Sequence, residues 1–239
     1  MPAPTVSVII AAKNAARYLS ECLDSITAQT FDCYEVLIVD GRSTDGTEAI
    51  ARSYRNVIFF EQSGVGYANA WNCGLRRARG EFMTFIDSDD VWTPQKLARQ
   101  VELLRSNSRL EGVIGKVRFV LQPGENPPRG FRDKVLRGDH IGYLPGVLMA
   151  RRRLFERLGD WDENHVVASD TDWFVKLKDS GLPIGVVDDV LLEKRVHSQN
   201  LSYVMAENPV YPREMLRLLH SSILRKRAAT IKSGMEPGS

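Results

Sequence analysis

Apolar and polar positions change their period repeatedly along the first ninety residues of this chain. Val6-Ser7-Val8-Ile9-Ile10-Ala11 is a β-branched run with a single polar break, the pattern of a strand covered on both faces. Leu19, Cys22, Leu23 and Ile26 then recur at i, i+3, i+4 and i+7, which marks one face of a helix, with Asn14 placed to cap it. Residues 34–39 repeat the strand pattern and end at Asp40. The loop Gly41-Arg42-Ser43-Thr44-Asp45-Gly46 has helix-start chemistry, and a short helix through Ile50 and Ala51 is expected after it. Residues 56–60 predict a third strand. Tyr67, Ala70, Trp71, Gly74, Leu75 and Ala78 form a second helical stripe, and residues 82–86 predict a fourth strand. Thr93-Pro94 predicts the N-cap and first residue of a helix carrying Leu97, Val101 and Leu104. Strand and helix in strict alternation imply an α/β fold, a doubly wound and mainly parallel sheet with right-handed crossovers.

The second half is less regular. A strand is expected at 113–121 and a mobile loop at 122–130, which holds three prolines and two glycines. An apolar segment at 145–150 follows, then a helix at 152–158 stopped by Gly159 and another from about 170 to 180 stopped by Gly181. Two short strands are expected at 184–187 and 190–196. The tail from about 208 to 231 reads as a basic helix with Leu216, Leu219, Ile223 and Leu224 on one side. We place one domain over 1–205, its nucleotide-binding half at 1–95 and its acceptor half at 96–205, with 206–239 as a helical tail.

The fourth strand runs into Asp87-Ser88-Asp89-Asp90. On an extended chain, neighbours two apart point the same way, so Asp87 and Asp89 are expected to aim at one spot beyond the strand's carboxyl end. Open α/β sheets bind ligands at that edge. Two ionised carboxylates so close repel unless a cation lies between them, and hard oxygen ligands suit Mg²⁺ or Mn²⁺. A turn or helix cap is the other reading of the same residues. Asp40 ends the second strand on the same edge. The residues after the first strand, Ala11-Ala12-Lys13-Asn14, contain no glycine-rich phosphate loop. That argues against a dinucleotide oxidoreductase and a P-loop NTPase, which hold pyrophosphate on backbone amides.

Charge and cysteine content narrow the classes further. The net charge of +2 gives no general call for nucleic acid. Residues 209–239 carry six Lys/Arg against two Asp/Glu, so the tail holds +4 and the remainder −2. Such a helix fits either an anionic membrane surface or packing, including a homodimer. Cys22, Cys33 and Cys73 have no paired or metal-type spacing and fit free thiols in a reducing compartment. With no segment that reads as a signal peptide or membrane span, a cytoplasmic protein is expected, peripheral at most to the membrane.

Ser7-Val8-Ile9-Ile10-Ala11-Ala12-Lys13-Asn14, Val36-Leu37-Ile38-Val39-Asp40, Asn69-Ala70-Trp71-Asn72-Cys73-Gly74-Leu75, Ala78-Arg79-Gly80-Glu81 and Phe85-Ile86-Asp87-Ser88-Asp89-Asp90 occur in the order seen in family 2 glycosyltransferases of GT-A fold, which the chain resembles. The resemblance is close over 5–95 and looser to about 205. It implies an inverting transferase that uses a nucleotide-diphosphate sugar, UDP-linked, and Mn²⁺ or Mg²⁺, with an acceptor it does not name. By this resemblance Asp40 contacts the base or ribose, Ala11 and Lys13 lie beside the base, and Gly64 to Tyr67 cradles the nucleotide. Asp87 lies near ribose and metal, Asp89 ligates the metal, and Asp90 is structural. Asp170 in Ala168-Ser169-Asp170-Thr171-Asp172-Trp173 stands where the family carries its catalytic base, with Asp172 the second choice and helix capping the other role for Ser169 and Asp170. The free amides of the first helical turn are expected to keep Asp170 ionised. His197 follows the last strand, where the family places a residue near the diphosphate, and imidazole can ligate Mn²⁺. His140, His165 and His220 have no such setting. Two departures from the pattern, Trp71 for an Arg and Ser169 for a Glu, leave a donor-binding scaffold without activity as the alternative. Sugar nucleotidylyltransferases share the sheet but need a glycine-rich, Arg-containing loop that residues 11–19 lack.

Overall fold

A computed structural model of the chain describes residues 3–127, 133–165, 168–200 and 210–233, without the side chains of 133 and 227–233. The first half follows the alternation read from the sequence: β1 (Val6–Ala12), α1 (Leu19–Thr27), β2 (Tyr34–Asp40), α2 (Thr47–Ser53), β3 (Val57–Glu61), α3 (Tyr67–Arg77) and β4 (Phe82–Asp87). Then come β5 (Val91–Trp92), α4 (Lys96–Ser106), β6 (Gly112–Leu121), α5 (Asp133–Leu136), β7 (Asp139–Ile141), a 3₁₀ turn (Pro145–Val147), β8 (Met149–Arg151), α6 (Arg152–Leu158), α7 (Ser169–Ser180), β9 (Ile184–Val196) and α8 (Tyr211–Ser233). Strands run in the order β3-β2-β1-β4-β8-β6-β9-β5, with β7 beside β6. β3, β2, β1 and β4 are parallel, as are β6 and β9. β8 joins the two groups antiparallel, between β4 and β6.

Strands β1 and β4 bury their side chains on both faces because helices cover both sides of the sheet. Ile9, Ile10, Phe82, Phe85 and Ile86 are fully buried. Leu19, Cys22, Leu23 and Ile26 form the inner face of α1 as their spacing predicts. An aromatic cluster fills the space between α3, β4 and the segment after α6. Trp161 lies 5.2 Å from Phe85 and 4.9 Å from both Trp71 and Trp173, measured between ring centroids. Trp71 is therefore a core residue, 2% exposed. The register of β1 with its neighbours, Ala12 beside Asp40 and Ala11 beside Asp87, brings the carboxyl ends of β2 and β4 to one edge.

Several local expectations are corrected. Asn14 does not cap α1. It takes φ 50°, its side chain accepts a hydrogen bond from the Thr44 amide, and α1 starts after Tyr18. Thr93-Pro94 does not start α4, which begins at Lys96, because the Thr93 hydroxyl donates to the Val190 carbonyl instead. The two short strands near the end are one strand, β9. Its register against β6 shifts between Ile114 and Val117, and this irregularity absorbs the break that Asp188-Asp189 suggests. The expected loop at 122–130 extends into residues outside the description. On α8, Leu216, Leu219, Ile223 and Leu224 are exposed, and Arg225 and Lys226 both pair with Asp179, Lys226 through a side chain that stays 65% exposed. Among the described residues, no helix is long and apolar enough to cross a membrane.

Gly74 allows α3 to lie against β1. A Cβ built there meets Ile9 Cγ2 at 2.3 Å. Helix propensity alone favours Ala over Gly by about 1 kcal/mol. Overpacking a closed core costs about 1–3 kcal/mol, and here it wins. Gly74→Ala is expected to lower unfolding free energy by about 1–2 kcal/mol in urea. A variant as stable as the parent, or more so, would contradict this packing.

Candidate active site

Strand β4 stops at Asp87, and Ser88-Asp89 turn the chain so that the Asp90 amide donates to the Asp87 carbonyl at 3.1 Å. The expected strand alternation therefore does not place Asp89; this turn does. It still brings carboxylate oxygens of Asp87, Asp89 and Asp90 within 4.8 Å of one another. Negative charge so concentrated requires cations, and β9 supplies them. Lys194 Nζ donates to Asp87 Oδ2 at 3.0 Å and to Asp90 Oδ2 at 2.9 Å. The Arg195 amide donates to Asp90 Oδ1, and the Arg195 guanidinium donates to the Asp89 carbonyl and pairs with Glu21. Asp90 is fully buried and all its contacts are internal, whereas the side chains of Asp87 and Asp89 are 45% and 25% exposed.

His197 is buried and stacked on Tyr18 at 4.9 Å. The Gln199 amide donates to its Nδ1, which assigns the proton to Nε2, and Nε2 donates to Asp89 Oδ2 at 3.1 Å. Asn200 Nδ2 donates to the same oxygen at 3.0 Å. His197 thus orients Asp89. Burial pushes the Asp89 carboxyl up, but the His197 hydrogen bond and the Lys194 charge outweigh it and hold the group below the usual range. The opposite balance applies to Lys194. Burial disfavours its charge, yet the surrounding carboxylates of Asp90, Asp87 and Asp89 raise it well above an ordinary lysine.

The residues expected beside the base lie at the ends of the neighbouring strands and just beyond them. Asp40 is buried, and its two oxygens accept from the Ser43 amide at 2.8 Å and the Ser43 hydroxyl at 2.6 Å. Asp40 thus fixes the turn that leaves β2. Ala11 lies between Val39 and Asp87 in register, and Lys13 is exposed beside Gly41. Gly64 donates its amide to Asn69 Oδ1, and Gly66 takes φ 87° just before α3, a conformation that suits glycine. Asn69 and Asn72 each donate to one oxygen of Glu163, at 2.8 Å. This clamp ties the 161–163 segment to the glycine loop.

Tyr67, at the start of α3, donates its hydroxyl to Asp170 Oδ1 at 3.3 Å, and the Thr171 amide donates to the same oxygen at 2.7 Å. The residue capping α7 is Ala168, with no side-chain cap bond, and Ser169 Oγ is buried without a partner. Ser169 therefore makes no cap, whereas Asp170 accepts from one free amide of the first turn. Asp170 also departs from the expectation of a freely ionised helix-start carboxylate. Burial raises its pKa, the Thr171 and Tyr67 hydrogen bonds pull it down, and the Asp87 charge raises it further. Asp172 is 3% exposed and pairs with Lys176 at 2.5 Å, away from Tyr67. Lys194, Arg195, Asn200 and Glu163 were not picked out from the sequence. The available signal was the charge pair Lys194-Arg195 three residues before His197, and its meaning depends on β9 lying beside β5.

The sequence matches the glycosyl transferase family 2 pattern over residues 7–159, from β1 through α6. An uncharacterized glycosyltransferase of Rickettsia felis is 29% identical over 93% of this chain and 38% of its own length. A putative teichuronic acid biosynthesis glycosyltransferase of Bacillus subtilis, TuaG, is 38% identical over 44% of this chain and 44% of its own. The chain spans 38% and 65% of the length of two Rickettsia relatives that it matches. Among solved structures, S. aureus TarS 1-349 in complex with UDP superimposes with a TM-score of 0.71 at 23% identity, over 92% of this chain and 65% of that one. The mannosyltransferase PcManGT of Pyrobaculum calidifontis, in complex with GDP-Man and Mn²⁺, superimposes with a TM-score of 0.61 at 26% identity, over 99% and 67%. The curled, mainly parallel sheet is thus the GT-A arrangement that the motifs implied, and the chain belongs to glycosyl transferase family 2.

Proposed function

We propose that this chain transfers a sugar from a nucleoside-diphosphate donor, UDP-linked, to an acceptor hydroxyl, with a divalent cation and with inversion at the anomeric carbon. The observation that carries this reading is the open pair Asp87 and Asp89 on the sheet edge, electrostatically linked to a separate, half-buried carboxylate, Asp170. Donor binding is supported by the fold neighbours, which hold UDP in one case and GDP-Man with Mn²⁺ in another. The donor set fits a hard cation: carboxylate oxygens with partly exposed faces, which suit Mn²⁺ or Mg²⁺. Asp89 and Asp87 would hold it, with His197 behind Asp89. When bound, such a cation offsets the charge that develops on the departing diphosphate.

The protein's own groups do the rest. Asp40 and the segment from Gly64 to Tyr67 frame the nucleotide, with Ala11 and Lys13 beside the base. Asp170 accepts the proton of the acceptor hydroxyl. The freed oxygen pair forms the new bond to the anomeric carbon while the bond from that carbon to the diphosphate oxygen breaks. The leaving group takes the electrons. No nucleophilic side chain is needed between the two, so a single displacement inverts the configuration. The alternative, a scaffold that binds donor and transfers nothing, has less support. Trp71 packs in the core, and Asp170 is a partly buried carboxylate that accepts hydrogen bonds from Tyr67 and Thr171, which supports a base at this position.

Removing a general base costs on the order of 10²–10⁴ in rate. Asp170→Asn is expected to lose that much sugar transfer while UDP affinity stays within about twofold, since Asp170 faces acceptor rather than nucleotide. Proton NMR of the product is expected to show the anomeric configuration opposite to the donor's. Retention would rule out the single displacement.

The second expectation concerns pH. Burial raises the Asp170 pKa, so the rate rises with pH through a limb above the ordinary carboxylate range. The Tyr67 hydroxyl stabilises the ionised form. Tyr67→Phe removes that donor and is expected to move the limb to higher pH, with the plateau rate less affected. An unmoved limb, or one displaced to lower pH, would remove Asp170 as the group that titrates.

A further inference from the structure

Lys194 holds the acidic turn together, and the same contacts bear on what that turn can bind. Its ammonium lies among the three carboxylates of the acidic turn, bonded to Asp87 on one side and to Asp90 on the other. Asp90 is fully buried and keeps the lysine in place, while the Lys194 side chain itself is 17% exposed. Asp87 is therefore shared. One of its oxygens is committed to the ammonium, and its other face is open. A divalent cation arriving at Asp87 and Asp89 meets a fixed positive charge a few ångströms away and a carboxylate already partly neutralised. A diphosphate group arriving with it meets the same positive charge as an attraction.

We propose that Lys194 is the resident counter-cation of the acidic turn: it weakens binding of a divalent ion to the free protein and strengthens binding of the nucleotide diphosphate. This rests on the metal-dependent reading above. Lys194 is a positioning residue in this scheme, since it acts through Asp87 and through the field at the turn. The repulsion of the ion and the attraction for the diphosphate are opposite in sign, so removing the Lys194 charge moves the two affinities in opposite directions.

The test is Mn²⁺ binding to the whole chain, followed by electron paramagnetic resonance with and without UDP. In Lys194→Gln the amide can still bond Asp87 and Asp90, but the charge is gone. Removing a unit charge at this range is expected to tighten Mn²⁺ binding to the nucleotide-free protein by about tenfold or more. UDP binding in the absence of metal is expected to weaken by a similar amount. Lys194→Arg keeps the charge and is expected to stay near the parent. A gain in ion affinity is not what structural damage produces, so damage cannot mimic the result. Unchanged or weaker Mn²⁺ binding in a folded Lys194→Gln protein would overturn the proposal.

If Lys194→Gln fails to fold, the unaltered protein answers. Its Lys194 ε-methylene NMR signal is assigned as the one missing from Lys194→Arg. Titration with Mg²⁺ is expected to shift that signal in step with ion occupancy; a signal that stays still while the site fills would overturn the proposal. Mn²⁺-dependent UDP binding with equal ion affinities in parent and Gln variant would sink the Lys194 inference alone. Absence of Mn²⁺ binding in both, with or without UDP, would sink the metal reading and this one with it.

Discussion

The structure depends on a single electrostatic arrangement, three carboxylates on one tight turn balanced by cations from a distant strand. Asp87, Asp89 and Asp90 could not be held within 4.8 Å of one another by the backbone turn alone. Carboxylates that close would protonate or separate. Strand β9 opposes both, although burial and the charges of Asp89 and Asp87 still push the Asp90 carboxyl up to about 7. Lys194, 107 positions from Asp87, enters between two of them, Arg195 binds the turn's backbone, and His197 with Asn200 fixes the third. A buried ion pair of this type is weak support for stability in itself, because desolvation offsets most of its attraction. Its consequence is geometric. Two carboxylates are kept facing outward, and the third is buried as their anchor.

The same arrangement explains why the two halves of the chain act as one sheet. β5 is only two residues long, yet it directly follows the acidic turn and pairs antiparallel with β9, Val91 opposite Glu193. That pairing sets Lys194 and Arg195 beside Asp90. On the other side, Tyr67 from the first half reaches Asp170 on α7, and Asn69 and Asn72 hold Glu163. Each of these contacts joins a residue before position 95 to one after 160. The site is therefore assembled across the join between the first and second halves of the chain.

The sequence was legible wherever a short-range pattern decides the outcome. The strand at 34–39, the stripe of α1 and the glycine stops after α6 and α7 all follow from local spacing, and all are present. Legibility failed where a distant partner competes with a local preference. Thr93-Pro94 has good helix-start chemistry, but the Thr93 hydroxyl is taken by Val190. Asp188-Asp189 reads as a break, but β6 holds the strand together through an irregular register. Asp87 and Asp89 converge as expected, though by a turn and not by strand alternation. Lys194 could not be singled out at all, because a lone lysine in a strand acquires meaning only from its neighbours on the adjacent strand.

The central claim is that the outward pair on this turn holds a nucleotide diphosphate through a divalent cation. The most direct measurement is a calorimetric titration of UDP, with and without Mn²⁺, into the parent and Asp89→Asn. Mn²⁺ is expected to strengthen UDP binding in the parent, and this gain is expected to be lost in Asp89→Asn, whose thermal unfolding stays close to the parent's because Asp89 is partly exposed and Asp90 still anchors the turn. A folded Asp89→Asn protein that binds UDP with the same Mn²⁺ dependence as the parent would contradict it.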